Sequence, residues 1–319
     1  MTRRGALSAA AAALAAPSIA RAQGATIRIV VPFAPGGSTD AVARLATPGL
    51  QQRLGATVVV ENRSGAAGSI GADVVAKARP DGTTWLLTFD SHATIPALLR
   101  NPAFDVMTDL DPVMLIGGSP YVIAAKPEKP FRRLRDVVAL AKEKPDAVSF
   151  GSTGNGTIGH LTMVLLGERA GVRMQHLPYR SGGLAVTDTV AGHVDMMIGS
   201  AALVIPHISN NALRAVAQFG PERLPGLAQV PTAQEEGFPG LTAEAWWGVF
   251  APARTPPETI ARFNAALRET FREERLTHQM TEIQQARLVL SSPEDLRSFF
   301  SAQVQSWGKV VRDNGIQPD

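Results

Sequence analysis

The chain has 319 residues, 45% of them hydrophobic and 18% charged, which excludes a disordered polymer and gives enough length for about two domains. It contains no cysteine, so a disulfide framework, an iron–sulfur cluster, a zinc–thiolate site and a thiol nucleophile are all excluded. The formal charge of +3 has a local origin: Arg3, Arg4 and Arg21 all lie in the first 22 residues, and residues 23–319 carry 28 basic and 28 acidic side chains.

Those first 22 residues read as a secretory signal peptide. Arg3 and Arg4 make a basic start, an alanine-rich apolar run comes next, and Ala20-Arg21-Ala22 is a small-x-small cleavage pattern before Gln23. Thr2-Arg3-Arg4 also hints weakly at the twin-arginine route. The apolar run is shorter than the roughly 20 residues of a membrane span. A formally neutral mature chain has no basic footprint for nucleic acid. The expectation is an exported, periplasmic protein.

Beyond this leader, short apolar runs alternate with helical patterns. Residues 27–32 predict a strand, and 39–54 a helix stopped by Gly55; 57–60 a strand, 69–78 a helix, and 85–88 a strand after Pro80-Asp81-Gly82. Residues 121–125 are extended, 134–142 helical and 147–150 a strand. Residues 157–170 form a helix stopped by Gly171, 174–177 a strand and 184–191 a helix stopped by Gly192. Strands come next at 196–198, 213–217 and 245–250, then long helices at 258–272 and 294–311. Alternating strands and helices imply an α/β protein with parallel sheets. The extended segments at 121–125 and 245–250 bracket the middle third, so either one domain is discontinuous or two are arranged in sequence; periodicity does not choose.

Two glycine-rich turns carry the chemistry. Phe33-Ala34-Pro35-Gly36-Gly37-Ser38-Thr39-Asp40 and Gly151-Ser152-Thr153-Gly154-Asn155-Gly156-Thr157 share one grammar of strand, small-residue loop and helix. A helix N-terminus presents free N–H groups and about half a positive charge, so each loop is a candidate anion site without Lys or Arg. Gly154-x-Gly156-x-x-Gly159 formally matches a dinucleotide fingerprint, but Met174 to Tyr179 supplies no acid for a ribose, and no Walker lysine stands after either loop. No H-x-x-x-H pair and no G-x-S-x-G elbow occurs, so neither a catalytic residue nor a metal or other cofactor is expected. Ser38 reads better as a helix cap than as a nucleophile. His160 either faces a ligand or is structural. Trp246 and Trp247, adjacent on a strand, point to opposite faces; either both pack in the core or one lines a cleft.

Further motifs complete a pattern along the chain: V-V-V-E-N-R-S-G-A-A-G-S-I-G-A at 58–72, V-A-K-A-R-P-D-G-T-T at 75–84, L-P-Y-R-S-G-G at 177–183, V-P-T-A-Q-E-E-G-F-P-G at 230–240, W-W-G-V-F-A-P-A-R-T-P at 246–256 and W-G-K-V-V-R-D-N-G-I at 307–316. With I-R-I-V-V-P-F-A-P-G-G-S-T-D at 27–40, this order and spacing resembles the extracytoplasmic solute receptors of the tripartite tricarboxylate transporter family, the Bug-type receptors. The resemblance implies a two-domain periplasmic-binding-protein fold with the ligand cleft between domains. It favours the discontinuous division: domain one at 23–122 plus 245–319, domain two at 123–244. It implies ligand contacts from Phe33, Ala34, Gly36, Gly37, Ser38 and Asp40, from Asp90, Ser91 and His92, from Ser152, Thr153, Gly154, Asn155 and Thr157, and from Tyr179, Arg180 and Ser181. Ala34 replaces a proline common in the family, and Arg180-Ser181 replaces a commoner Lys-Gly, which leaves the identity of the solute open. The implied protein is a monomer that captures a small organic carboxylate (a di- or tricarboxylate, an aromatic acid or an acidic amino acid) and meets membrane transporter subunits transiently. The alternatives are a receptor reporting to a membrane sensor kinase and an exported α/β hydrolase.

Overall fold

The computed structural model describes residues 26–99 and 102–317. The expected leader and its cleavage point lie outside these residues. Ten strands form one continuous, mixed sheet: β1 (Thr26–Val31), β2 (Thr57–Asn62), β3 (Thr84–Phe89), β4 (Leu110–Ala125), β5 (Ser149–Ser152), β6 (Gln175–Pro178), β7 (Met196–Ser200), β8 (Arg214–Gln218), β9 (Glu244–Pro252) and β10 (Arg287–Leu288). The helices are α1 (Ser38–Leu54), α2 (Ser69–Ala76), α3 (Ile95–Leu98), α4 (Leu134–Glu143), α5 (Ile158–Ala170), α6 (Gly182–Ala191), α7 (Ala201–Ser209), α8 (Pro257–Phe271), α9 (Glu274–His278) and α10 (Pro293–Asp313).

The sheet runs β2-β1-β3-β9-β4-β7-β5-β6, with β10 and β8 also paired to β4. Parallel pairing is confined to β2-β1-β3 at one end and β6-β5-β7 at the other. The strands between them, β9 and β4, run antiparallel to their neighbours. The expected mostly parallel sheets are found at the two ends, and the antiparallel strands lie in the middle, where the chain crosses from one half to the other. β4 makes the crossing: residues 110–120 pair with β9, and 121–125 pair with β7 and β8. The sequence pattern hides its first half, because Pro112, Gly117-Gly118 and Pro120 look like strand breakers; register shifts at 112–114 and 115–117 accommodate part of that run. It hides α7 as well, which contains Pro206.

The predicted helix stops are correct: Gly55, Gly171 and Gly192 take left-handed φ of 63°, 63° and 85°. α10 opens with a capping box, Ser292 and Asp295 exchanging bonds around Pro293. Trp246 and Trp247 are 2% and 0% exposed and enter different apolar clusters, as strand alternation requires; Trp246 meets Phe299 and Phe300 of α10, and Trp247 meets Phe89. Both are core residues.

At the crossing level, three backbone segments are tied to one another. Tyr121 N–H donates to Ala243 O (3.1 Å), Ala243 N–H to Phe219 O (2.9 Å) and Phe219 N–H to Tyr121 O (2.8 Å). Gln218, fully buried beside this level, anchors the segment after it: Nε2 donates to Leu227 O (3.1 Å) and Val230 O (2.7 Å), and Oε1 accepts from Leu224 N–H (2.8 Å). Gln218→Leu would leave three backbone groups without their partner. It is expected to destabilise the protein by about 2–5 kcal/mol, measured by denaturant unfolding.

Candidate functional site

The first glycine-rich loop is held from behind by Asp40. Its Oδ2 accepts from Gly36 N–H (3.2 Å) and Arg44 Nε (2.9 Å), and its Oδ1 accepts from Asn62 Nδ2 (3.0 Å), which also donates to Phe33 O (2.9 Å). Burial works to raise the Asp40 pKa, but the hydrogen bonds from Arg44, Asn62 and Gly36 together with the Arg44 charge outweigh it, so the carboxyl sits below its usual value. A carboxylate with both oxygens engaged is an anchor for the loop. The α1 N-cap is Gly37, not Ser38, and no side chain caps it. The Ser38 hydroxyl has no hydrogen-bond partner among the described residues, so the cap expectation fails and the hydroxyl is available.

The second loop is braced internally. Ser152 Oγ lies 2.7 Å from His176 Nε2 and bonds to Gly154 O and N, while Thr157 Oγ1 donates to Gly154 O (2.8 Å) and accepts from His160 N–H. His160 Nδ1 accepts from Gly156 N–H (3.1 Å), which places the His160 ring proton on Nε2. The His160 and His176 rings stack 4.0 Å apart at 10°. Burial lowers His160 to about 4; burial and then the His160 charge lower His176 to about 3, so both are neutral at pH 7. Asn155 turns outward to Gln317 O (2.5 Å). The Thr153 hydroxyl is buried and unpartnered.

The first loop touches the opposite half of the sheet at residues 180–183, which lead into α6, and Thr153 of the second loop shares a small space with this contact. Ala34 N–H donates to Arg180 O (3.4 Å). A Cβ on Gly183 would lie 2.7 Å from Gly36 O, and a Cβ on Gly37 would lie 3.7 Å from the Gly182 nitrogen. Between them is an enclosed space of about 20 Å³, enough for one water, lined by Phe33, Gly37, Ser38, Thr39, Phe89, Tyr121, Thr153, Gly182, Ser200 and Leu203. None of these residues is charged. Larger hollows exist: one of about 700 Å³ beside Trp246 and Trp307 lies away from both loops, and one of about 250 Å³ adjoins the rear of the second loop at Phe150, His160 and His176. Unpartnered buried hydroxyls gather at the small space: Thr153 and Ser200 line it, and Ser181 precedes Gly182.

Asp90 comes directly after β3 and is fully buried. Its Oδ2 accepts from Tyr121 Oη (2.5 Å), and its Oδ1 has no partner. Burial raises the carboxyl to about 8, more than the bonds from Tyr121 and the Ser91 backbone lower it. Asp90 is therefore mainly a neutral acid at pH 7. Burial, then the Asp90 charge and hydrogen bond, push Tyr121 well above its usual value, against the opposing Gly159 backbone bond. Tyr121 thus links Asp90 to the N-terminal turn of α5 in the other half.

Of the residues expected at the site, Phe33, Gly37, Ser38 and Thr153 line the space, and Ala34, Gly36, Ser181 and the Arg180 backbone adjoin it. Asp90 reaches it through Tyr121. The structure places others elsewhere. His92 stacks on Phe300 (5.1 Å, 19°) and packs against Phe250 (5.0 Å), with burial lowering it to about 3, because α10 closes over the turn that carries it. Ser91 Oγ donates to Ala67 O (2.8 Å). Tyr179 Oη donates to Asp188 Oδ2 (2.8 Å), and the Arg180 side chain is exposed. Ser152, Gly154 and Thr157 shape their own loop. Sequence reasoning missed Thr39, Phe89, Tyr121, Gly182, Ser200 and Leu203. Gly199-Ser200 repeats the strand–glycine–hydroxyl–helix grammar of the two loops, so Ser200 carried a usable signal.

Comparison with known proteins places this fold and sequence beside characterised ones. The model of the family described as "Tripartite tricarboxylate transporter family receptor" matches residues 42–316. Protein BugT of Bordetella pertussis is 36% identical over 293 residues, 91% of this chain and 90% of that protein. The structure of the periplasmic binding protein BugD superposes with a TM-score of 0.87 at 31% identity, covering 92% of this chain and 98% of the other. MatC from Rhodopseudomonas palustris, solved with bound malate, gives 0.85 at 30% identity, covering 90% and 98%.

Two consequences can be measured. Gly183→Ala places a methyl 2.7 Å from Gly36 O, and the overpacking penalty of about 1–3 kcal/mol, offset by up to about 1 kcal/mol of helix propensity in α6, should lower the melting temperature. For Asp90, the folded state keeps a proton that the unfolded chain releases near pH 4. Its stabilising contribution is therefore complete at low pH and declines as pH rises towards about 8. The melting temperature of Asp90→Asn relative to the parent should climb over that window; a flat difference would show that Asp90 is ionised in the fold.

Proposed function

The chain belongs to the tripartite tricarboxylate transporter receptor family, and from that premise we propose that it closes two lobes around a small organic carboxylate in the periplasm and hands it to membrane transporter subunits. It is a Bug-type solute-binding protein. One observation carries the finer reading: the first glycine-rich loop, leading into α1, meets the 180–183 segment that leads into α6 from the opposite half, over a small space to which Thr153 of the second loop contributes, lined with hydroxyls and no basic side chain. Backbone amides and helix dipoles recognise an anion in such a place without a counter-charge. The malate held by MatC supports the carboxylate class. The reading requires no bond to be made or broken.

The lobes we propose are residues 23–122 with 245–319, and 123–244. The change of β4 partners between Pro120 and Tyr121, and the start of β9 at Glu244, support these boundaries. The three-segment contact of Tyr121, Phe219 and Ala243 is the natural hinge. No helix of the described residues is long and apolar enough to cross a membrane. Export rests on the leader at 1–22, and amino-terminal sequencing of secreted protein should begin near Gln23.

The test is a thermal-shift panel of dicarboxylates, tricarboxylates, aromatic acids, acidic amino acids and nicotinate. A true ligand at about 100 times its Kd should add about 2.7 kcal/mol of stability, and silence across all carboxylates would reject the reading. Gly37→Val should abolish the shift, because its branches would enter the space beside the Gly182 amide. Uptake of the identified solute should fail in a strain lacking the chain; preserved uptake with a lost transcriptional response would assign the protein to sensing instead.

A further inference from the structure

Strand alternation gives the crossing two faces. On one, Tyr121 and Phe89 line the small space; on the other, Pro120 and Trp246 line the hollow of about 700 Å³. The floor of this hollow is two rows of the sheet: Gly118 pairs with Trp246 on one side and Arg287 on the other, and Pro120 pairs with Glu244. Gly118 keeps the floor low, since a Cβ there would lie 2.8 Å from Glu244 Oε1. The segment after β8 contributes Phe219 and Leu224, and α10 contributes Phe299 and Trp307. The inner charges are matched: Arg287 Nη2 lies 3.2 Å from Glu244 Oε1, and Arg223 Nε lies 2.8 Å from Glu235 Oε2, while Glu222 is exposed. One polar group is not matched. Trp246, 2% exposed, carries a buried Nε1–H with no acceptor. A Cβ on Gly248 would lie 3.0 Å from Trp246 Cζ3 and 3.5 Å from Cε3, so the benzene edge of the indole covers Gly248. The Nε1 edge is therefore turned the opposite way along β9, towards Glu244 and the hollow. The indoles of Trp85 and Trp307 have acceptors in Gly82 O (2.9 Å) and Gln303 Oε1 (3.1 Å). Trp247 has none either, but it packs on Phe89 at the other face.

We propose that this hollow is a second small-molecule site, on the opposite face of the crossing from the first loop, and that it takes a flat, uncharged aromatic molecule carrying one hydrogen-bond acceptor. Its volume falls within the roughly 300–1,000 Å³ of small-molecule sites, which are mostly apolar with a few placed polar groups. Trp246, Trp307, Phe219 and Phe299 supply ring faces and edges for a planar guest. The acceptor meets Trp246 Nε1–H, whose loss of water is otherwise uncompensated. Both arginines already have carboxylate partners, so an anion finds no free counter-ion. A cation would gain the ring faces but bring no acceptor to Trp246. The proposal does not rest on the carboxylate reading.

The test is a nuclear magnetic resonance titration of the isotope-labelled mature chain at pH 8 with neutral quinoline, and with N-methylquinolinium, which has nearly the same shape but a positive charge and no acceptor. The four tryptophans give four indole N–H signals. Quinoline should move the Trp246 signal downfield and shift that of Trp307, and should leave those of Trp85 and Trp247 in place. It should bind about 3- to 10-fold tighter than N-methylquinolinium, the range for one neutral hydrogen bond, and Trp246→Phe should remove that preference. Trp307→Ala, which takes away a half-buried ring of the hollow, should weaken both probes. Gly37→Val should leave quinoline binding unchanged, so a silent carboxylate panel would not touch this site. A Trp246 signal that stays still up to the solubility limit of quinoline, or unchanged binding in Trp307→Ala, would overturn the site. Equal or tighter binding of N-methylquinolinium would overturn the ligand class. Loss of quinoline binding in Gly37→Val would place the probe at the first loop and overturn the separate site.

Discussion

The carbonyl oxygen of Gly36 lies 2.7 Å from where a side chain on Gly183 would begin. That contact fixes how far the two halves of the molecule approach each other, and the rest of the site is arranged around it. Gly36 is held in place by Asp40, which is itself held by Arg44 and Asn62. Gly183 lies in the first turn of α6, next to Gly182, which lines the enclosed space. A side chain at this one position would push the first loop away from α6, and the hydroxyls of Thr153, Ser181 and Ser200 would no longer face that loop from so near.

The interior at this contact is electrically quiet. No Lys or Arg lines it, Asp90 is held largely neutral by burial, and the histidine pair behind the second loop is neutral as well. An anion entering such a place meets oriented N–H groups and hydroxyls rather than a counter-ion. Recognition then depends on geometry at short range. The formal neutrality of the chain beyond its first 22 residues fits the same picture. Tyr121 has a particular position in it: its hydroxyl joins Asp90 to the start of α5, and its backbone belongs to the three-segment contact at the crossing, so one residue links both ends of the sheet at the level where the chain passes between them.

The glycine-rich loops were legible because their signal is local: a strand end, small residues and a helix start within ten positions. Phe33, Gly37, Ser38 and Thr153, expected that way, line the small space. Tyr121 was not, because its importance comes from where β4 changes partners, a tertiary fact. The first half of β4 was hidden by prolines and glycines that its register shifts partly accommodate. His92 looked like a site residue beside Asp90, but α10, two hundred residues away, covers it with Phe300. Asp40 was correctly placed in the loop, yet its neighbours turn it into an anchor rather than a contact. Ser200 went unnoticed because Pro206 concealed the helix behind it, although the residues before it share the grammar of the two loops that were recognised.

The central claim is that solute capture and lobe closure are one event. The chain has no cysteine, so two can be introduced without interference, and Ile70 of α2 and Leu184 of α6, one in each proposed lobe, are 51% and 50% exposed. Spin labels on Ile70→Cys and Leu184→Cys, read by pulsed dipolar spectroscopy, report the separation of the lobes directly. Closure on binding predicts a shorter and narrower distance distribution when a bound carboxylate saturates the site; one distribution, unchanged between empty and saturated protein, would contradict it.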